Sequence, residues 1–351
     1  MPISITTIGK EILEAADIDR FHEIAELAPN VHVTSDACCS TVYVRGFGSP
    51  FSPSAFEPSV GFAIDELSIP RGEYLSDALY DLERVEVLRG PQGMLFGKNT
   101  TAGLFHVLTA APTKEFTGHV LGRVGNLGAH RAEIALGGPV YPFGDIAQFR
   151  LALLDFEGVG DVENTFLDED EPSPVQRAGR LKLALQPLDG LEITLAGERV
   201  TTESRPFHAQ QTNLRQSSLD FLRQFDPEIE DDWRNHQSSI SQMGEVDRQT
   251  DRVQANLRYR WDGFSWLREP EVVAVIAHTE SDADLPFDVD QSPADILSID
   301  SPSEYLYDQQ SAELRFAGTL PAPFGLGDVE VLLGGLVFES DFSSDSPFRA
   351  G

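Results

Sequence analysis

Two patterns of hydrophobic and polar positions divide this chain near residue 113. In the first part, short apolar runs of mixed period predict alternating strands and helices. Residues 3–8 alternate Ile with Ser and Thr, as a strand does. Lys10 to Ala16 and Asp19 to Ala28 predict two short helices, the second with Phe21, Ile24, Ala25 and Leu27 on one stripe. Val31 to Val33, Val42 to Val44 and Phe62 to Asp65 are predicted extended. Val85, Val87 and Arg89 then alternate with Arg84, Glu86 and Leu88 until Gly90 and Pro91 break the strand. Phe105, Val107 and Thr109 resume an extended run that Pro112 stops.

From Phe116 the pattern changes to long two-residue alternation. Ala132, Ile134 and Leu136 alternate with Arg131, Glu133 and Ala135, and Leu181, Leu183 and Leu185 with Arg180, Lys182, Ala184 and Gln186. Val253, Ala255, Leu257, Tyr259 and Trp261 alternate with Arg252, Gln254, Asn256, Arg258 and Arg260. About nine strands are predicted, near 117–125, 129–138, 147–157, 177–187, 190–203, 250–262, 270–281, 309–319 and 328–341. A soluble sandwich turns the apolar face of such strands inward. A membrane barrel turns it outward to lipid around a polar lumen. Short turns at Gly125–Ala129 and Pro187–Gly190, set against a long connection at Arg205–Gln249, favour the barrel. So do Phe143, Phe149 and Phe156, with Tyr259, Trp261 and Trp266, placed as an aromatic girdle.

Composition removes several functions. The formal charge is −31, from 57 acidic and 26 basic residues, so nucleic acid is not an expected partner. No run of ~20 apolar residues predicts a transmembrane helix, which leaves a barrel possible. The acidic runs Asp168 to Glu171 and Glu228 to Asp232 lack the spacing of an EF-hand and read as solvated loops. The eight His show no paired ligand spacing, so no metal site and no cofactor is expected. Gly97-Lys98 is followed by Asn99, and Gln92 stands where a P-loop needs its first Gly; no catalytic cluster emerges, and the chain does not read as an enzyme. Adjacent Cys38 and Cys39 do not suit a mutual disulfide and read as incidental loop residues.

The stretch Asp81 to Pro112 resembles the signature of the plug domain of TonB-dependent outer-membrane receptors. Leu82, Glu83, Arg84, Val85, Glu86, Val87, Leu88, Arg89, Gly90, Pro91, Phe96, Gly97, Asn99, Gly103 and Thr109 follow that pattern in order, while Leu104 and His106 depart from it. Pro2, Ser4, Thr6, Ile8, Ala28, Pro29 and Asn30 resemble the plug opening, and Arg45-Gly46 the family's RG element. Phe62 to Asp65 resembles a strand-turn element in which Glu66 replaces the usual Gly, at a cost of ~1 kcal/mol if that position needs φ > 0.

The resemblance implies an α+β plug domain over residues 1–113, followed by antiparallel transmembrane β-barrel strands over 114–351. About nine of an expected 22 strands would be present. Nine strands cannot close around a plug, and the start Met1 to Ile5 reads as no signal peptide. The expectation is therefore a fragment lacking signal peptide, TonB box and C-terminal barrel.

The implied function is energised uptake, in the outer membrane of a Gram-negative bacterium, of a scarce ligand. The foremost candidate is a ferric siderophore or another iron complex. A glycan, cobalamin or haem importer, or a soluble β-rich ligand-binding protein, is the alternative. Implied partners are outer-membrane lipid and the TonB-ExbB-ExbD complex, with the chain a monomer. Arg45, Gly46, Asp65, Arg84, Glu86, Arg89, Gly90, Pro91, Gly97 and Asn99 form the signature, whose charged members Arg45, Arg84, Glu86 and Arg89 would link plug to barrel. Arg45, Phe47, Arg71 and Phe96 are the expected ligand contacts, two cations for an anionic chelate and two rings for an organic ligand.

Overall fold

The fold is seen in a computed structural model that describes residues 4–36, 39–48, 58–69, 79–160, 162–170, 173–204, 210, 212–232, 234–321 and 327–350. Cys38 and Arg71 lie outside these residues. The first unit contains β1 (Ser4–Gly9), α1 (Lys10–Ala15), α2 (Ile24–Leu27), β2 (Val31–Asp36), β3 (Cys39–Val44), β4 (Phe47–Gly48), β5 (Val60–Ile64), β6 (Leu67–Ile69), β7 (Leu82–Arg89), α3 (Gly93–Phe96) and β8 (Gly103–Thr109). Its main sheet has the order β1-β7-β8-β5-β6. Val85, Val87 and Phe105 on its central strands are fully buried. Phe21, Phe62 and Phe105 pack ring to ring, with centroids 4.9 to 5.8 Å apart, and form the centre of the core.

Two local expectations are corrected. Asp19–Ala28 is not one helix. Arg20 is extended, and the Glu23 carboxylate accepts the amides of Asp19 (2.6 Å) and Arg20 (2.8 Å), so a 3-10 turn at Phe21–Glu23 precedes the short α2. Nor is Glu66 strained. The β5–β6 turn puts Asp65, not Glu66, at positive φ (47°). Asp tolerates that conformation, and its carboxylate accepts the Thr109 amide at 2.9 Å. The β3–β4 turn sets both Arg45 (φ 55°) and Gly46 (φ 80°) in the left-handed region, the two-residue hairpin geometry that favours Gly.

The second unit is a wall. It is built from β9 (Thr117–Val124), β10 (His130–Pro139), β11 (Ala147–Glu157), β14 (Val175–Leu188), β15 (Leu191–Ser204), β17 (Val246–Arg260), β18 (Arg268–Asp284), β21 (Glu304–Leu320) and β22 (Val329–Asp345). Among the described residues these join as one antiparallel nine-stranded sheet in the order β22-β21-β18-β17-β15-β14-β11-β10-β9, with β22 and β9 at its edges. Each predicted strand is present, and several run longer. β21 starts at Glu304, because residues 304–308 keep the alternation while pairing with β18.

The sheet is inside out relative to a soluble protein. On β10, Arg131 and Glu133 are buried (5% exposed each), while Ile134 and Leu136 are 49% and 46% exposed. On β17 and β18, Arg252 and Thr279 are buried, while Val253 and Ile276 face out. The polar face meets the first unit and the apolar face is left bare.

Antiparallel order puts the connections 125–129, 158–174, 205–245 and 285–303 at one end, and 140–146, 189–190, 261–267 and 321–328 at the other. Gly125–Ala129 thus shares an end with the long loops, contrary to its expected place among the short turns. Most of the expected girdle falls at the short-turn end, where Tyr259 stacks on Trp261 and Phe264 on Trp266. Phe156 does not belong to it. It lies on the inner face, under the Arg20 guanidinium at 5.1 Å.

At the long-loop end, β12 (Glu163–Asn164), β13 (Glu169–Asp170) and β16 (Gln237–Ser238) form a small sheet. Helix α4 (Gln216–Leu222) packs Leu219 and Leu222 on Ile229. Another small sheet joins β19 (Phe287–Asp288), β20 (Leu297–Ile299) and β23 (Phe348–Ala350). Asn164 is wholly buried; its amide donates to the Ile240 carbonyl at 3.0 Å, and its oxygen accepts the Phe166 amide at 3.1 Å. Asn164→Ala leaves those partners unpaired and is expected to cost about 2 kcal/mol of local stability. Limited proteolysis of the 158–174 and 205–245 loops reads this directly; unchanged cleavage would contradict it.

Candidate functional site

The inner face of the wall presents cations, and the first unit meets them with carboxylates. Asp19 lies 3.3 Å from Arg131, Asp65 2.8 Å from Lys182, and Glu66 3.3 Å from Arg258 while also pairing with Arg315. Asp81, with its side chain 2% exposed, is held by Arg150 through Nε (2.7 Å) and Nη2. Alternation on the wall strands creates this arrangement: the residues that face in are the polar partners of outward Leu, Ile and Val.

Residues 79–81 concentrate the contacts. The Leu79 carbonyl accepts Arg131 Nη2 at 2.8 Å. The Tyr80 hydroxyl donates to Glu198 Oε1 at 2.7 Å, and its ring lies under the Arg180 guanidinium at 4.2 Å. Burial, with the Glu198 charge added, pushes the Tyr80 phenol far above its ordinary range, so it remains a donor. The Asp81 amide donates to Glu133 Oε1 at 3.0 Å. A cavity of ≈ 40 Å³ beside this segment is lined by Phe62 and Phe105 on one side and by Arg180, Glu198 and Arg252 on the other. It has room for a few waters and none for an organic ligand.

Most of the charged residues singled out in the sequence turn inward on their own unit. Arg84 Nε donates to Glu86 at 2.7 Å, Glu86 approaches His106 at 3.3 Å, and Arg89 donates to Thr6 at 2.7 Å and to the Pro29 carbonyl at 2.9 Å. The contacts of these three with described residues therefore lie within the first unit. They lie on β7, whose neighbours in the sheet are β1 and β8, and their side chains stay beside that sheet.

Among the described residues, the acids of the first unit that pair with the wall are instead Asp17, Asp19, Asp65, Glu66 and Asp81, beside the Tyr80 hydroxyl. Of these, Asp65 alone was among the expected site residues. Gly90 (φ 105°) and Gly97 (φ 74°) bound the turn that carries Pro91 and Asn99 (φ 65°). Phe96 packs in a small cluster with Leu88 and Leu104, and the Lys98 ammonium sits over the Phe338 ring at 4.1 Å. Phe96 is therefore half-covered by its own unit. Arg45 is exposed and Phe47 is 71% exposed, together on the β3–β4 hairpin.

Asp81, His119 and Glu133 bring potential metal-ligand atoms within 4.8 Å of one another. They do not suit a cation. Arg150 already holds Asp81, and Arg131 holds Glu133 at 2.8 Å, so the two carboxylates are balanced by two guanidiniums. A divalent ion would leave that buried set with excess positive charge.

A compact α+β unit held by its acids against the charged inner face of an outward-apolar β-wall defines a plug-and-wall protein. Residues 1–104 match the TonB-dependent Receptor Plug Domain. The pesticin receptor of Yersinia enterocolitica is 27% identical over 191 residues, which cover 53% of this chain and 28% of that protein. The crystal structure of the ferric yersiniabactin uptake receptor FyuA from Yersinia pestis superposes with a TM-score of 0.74 at 21% identity, over 98% of this chain and 50% of that one. The ferripyoverdine receptor of Pseudomonas aeruginosa bound to ferripyoverdine superposes with a TM-score of 0.72 at 19% identity, over 99% of this chain and 43% of that one. The chain thus spans half or less of the length of these relatives.

Proposed function

We propose that the chain works in the outer membrane of a Gram-negative bacterium, as the plug and part of the wall of a receptor for energised uptake of a ferric siderophore or similar iron complex. The carrying observation is the inverted sheet: an inner face of cations occupied by plug acids, and an outer face of bare Leu, Ile and Val. Lipid is the solvent such an outer face suits. The relatives named for ferric yersiniabactin and ferripyoverdine support the choice of cargo. Displacement of the plug by a TonB-type complex would have to break the contacts of residues 65–66 and 79–81. Arg45 and Phe47 are the proposed plug contacts for ligand; Arg71 lies outside the described residues, and Phe96 contributes packing. The test is uptake of radiolabelled iron by iron-starved cells with and without this gene. Unchanged uptake of every ferric complex tried would sink the reading.

The loop charge bears on which complex is taken. Segments 158–174 and 285–303 hold Asp161, Glu163, Asp168, Glu169, Asp170, Glu171, Asp288, Asp290, Asp295 and Asp300, with no Lys or Arg. A strongly anionic chelate meets repulsion there. At low salt, a neutral ferric trihydroxamate is expected to bind about tenfold more tightly than a trianionic ferric tris-catecholate, a gap that salt should narrow. Fluorescence titration at two ionic strengths checks it, and tighter catecholate binding would contradict it.

A further inference from the structure

The segment Gln237 to Gln242 holds two loops at once. On one side Glu163 and Asn164 pair with Gln237 and Ser238, and the Thr165 amide donates to the Ser238 carbonyl at 2.9 Å. On the other, the Ser241 amide and hydroxyl both donate to Asp288 Oδ2, at 3.0 and 3.1 Å, and the Gln242 side chain donates to the Ile299 carbonyl at 3.3 Å. The 285–303 loop is tied in turn to β23 by the pairs Leu297 with Ala350 and Ile299 with Phe348. The Ser241 amide also donates to the Ser292 carbonyl at 3.0 Å, and Asp288, which is 4% exposed, is the buried carboxylate of this junction.

That carboxylate has like-charged neighbours. Asp290, Asp295 and Asp300 share its loop, and Asp295 Oδ1 also reaches the Ser241 hydroxyl, at 3.5 Å. The Gln237–Gln242 segment brings no charged side chain. From β23 comes Arg349, bonded to Asp295 at 3.1 Å and close to Asp300 at 3.4 Å. Among the described residues, no cation pairs with Asp288.

We propose that this junction is an acid-strengthened clasp, in which a proton on Asp288 fastens the 285–303 loop to the Gln237–Gln242 segment and joins the loops at this end of the wall into one cover. Burial, and after it the Asp290 charge, raises the Asp288 carboxyl to about 6 from an ordinary 3.8. A carboxyl raised in the closed form binds its proton more strongly there than in the open form. Closure is therefore favoured as pH falls from about 6 towards 4, and that gain is lost as pH rises through 6. With these two values the open share is about tenfold smaller at pH 5 than at pH 7.5.

Hydrogen exchange on the intact protein in detergent, corrected for the intrinsic pH dependence of exchange, tests the clasp. Peptides covering 236–243 and 286–300 should exchange about tenfold more slowly at pH 5 than at pH 7.5. Peptides from the middle of β14 should not change. Asp288→Asn, neutral at both pH values, should abolish the difference and exchange slowly throughout. Asp290→Asn removes the like charge and should slow exchange at pH 7.5, which provides a second test if the first variant folds poorly. Equal exchange at the two pH values in the unaltered protein, or an unchanged difference in Asp288→Asn, overturns the proposal.

Discussion

Asp81→Asn is expected to destabilise the seated plug by about 3–5 kcal/mol, the usual result of removing one member of a buried ion pair. The Asp81 side chain is 2% exposed and that of Arg150 8%. Without the carboxylate, the guanidinium stays in a site closed to water with its main partner neutral. Asn keeps the left-handed backbone of residue 81 (φ 46°), so strain does not confuse the result. The double variant Asp81→Asn/Arg150→Met should recover most of the loss, because no charge is then left stranded. By contrast, Glu66→Gln should cost about 1 kcal/mol, since its side chain is 29% exposed and water shares the screening. Chemical denaturation in detergent, followed by protease sensitivity of the plug, would measure all three. A loss below 1 kcal/mol for Asp81→Asn would mean that the interface is wet and the pair contributes little.

Ile276→Arg is the second large effect, expected at about 2–4 kcal/mol. Ile276 stands midway along β18 and is 63% exposed on the apolar face. On a water-facing surface, such a change usually falls within ±0.5 kcal/mol. At the middle of a bilayer, the guanidinium must be buried in hydrocarbon or drag water to itself. Folding into vesicles, with Ile276→Leu as the apolar control, separates the two environments. An Arg variant as stable as the Leu control would remove the membrane from the account of this wall.

The wall was legible in the sequence because period-two alternation over ten or more residues fits a strand and does not fit a helix. Arg180 to Gln186 and Arg252 to Arg260 announced both the strands and their two unlike faces. The plug was legible through its turn residues, where Gly46, Gly90 and Gly97 occupy backbone positions that other residues resist. The interface was not legible. Arg84, Glu86 and Arg89 look available in the sequence, yet β7 is an inner strand of the plug sheet and its charges are paired beside it. Tyr80 carries no local signal, and Asp81 opens the signature stretch without disclosing its partner. Their importance comes from residues 69 and 118 positions further along, Arg150 and Glu198, and no short window contains both partners. Glu66 drew notice as a misfit in a turn, when it was a ligand for two wall arginines.

Among the described residues, the ion pairs across the interface also have a single polarity, with the acids on the plug and the bases on the wall. Such a pairing attracts from a distance but is nearly blind to sliding, because any carboxylate is drawn to any of the cations. Correct parking must come from short-range, directional bonds. The carbonyls of Ser68, Leu79 and Thr109, which accept Gln309, Arg131 and Lys182, are fixed points of that kind. A plug once drawn out would thus be steered home by charge and indexed by its own backbone. Raising the salt concentration should slow its return without changing where it comes to rest.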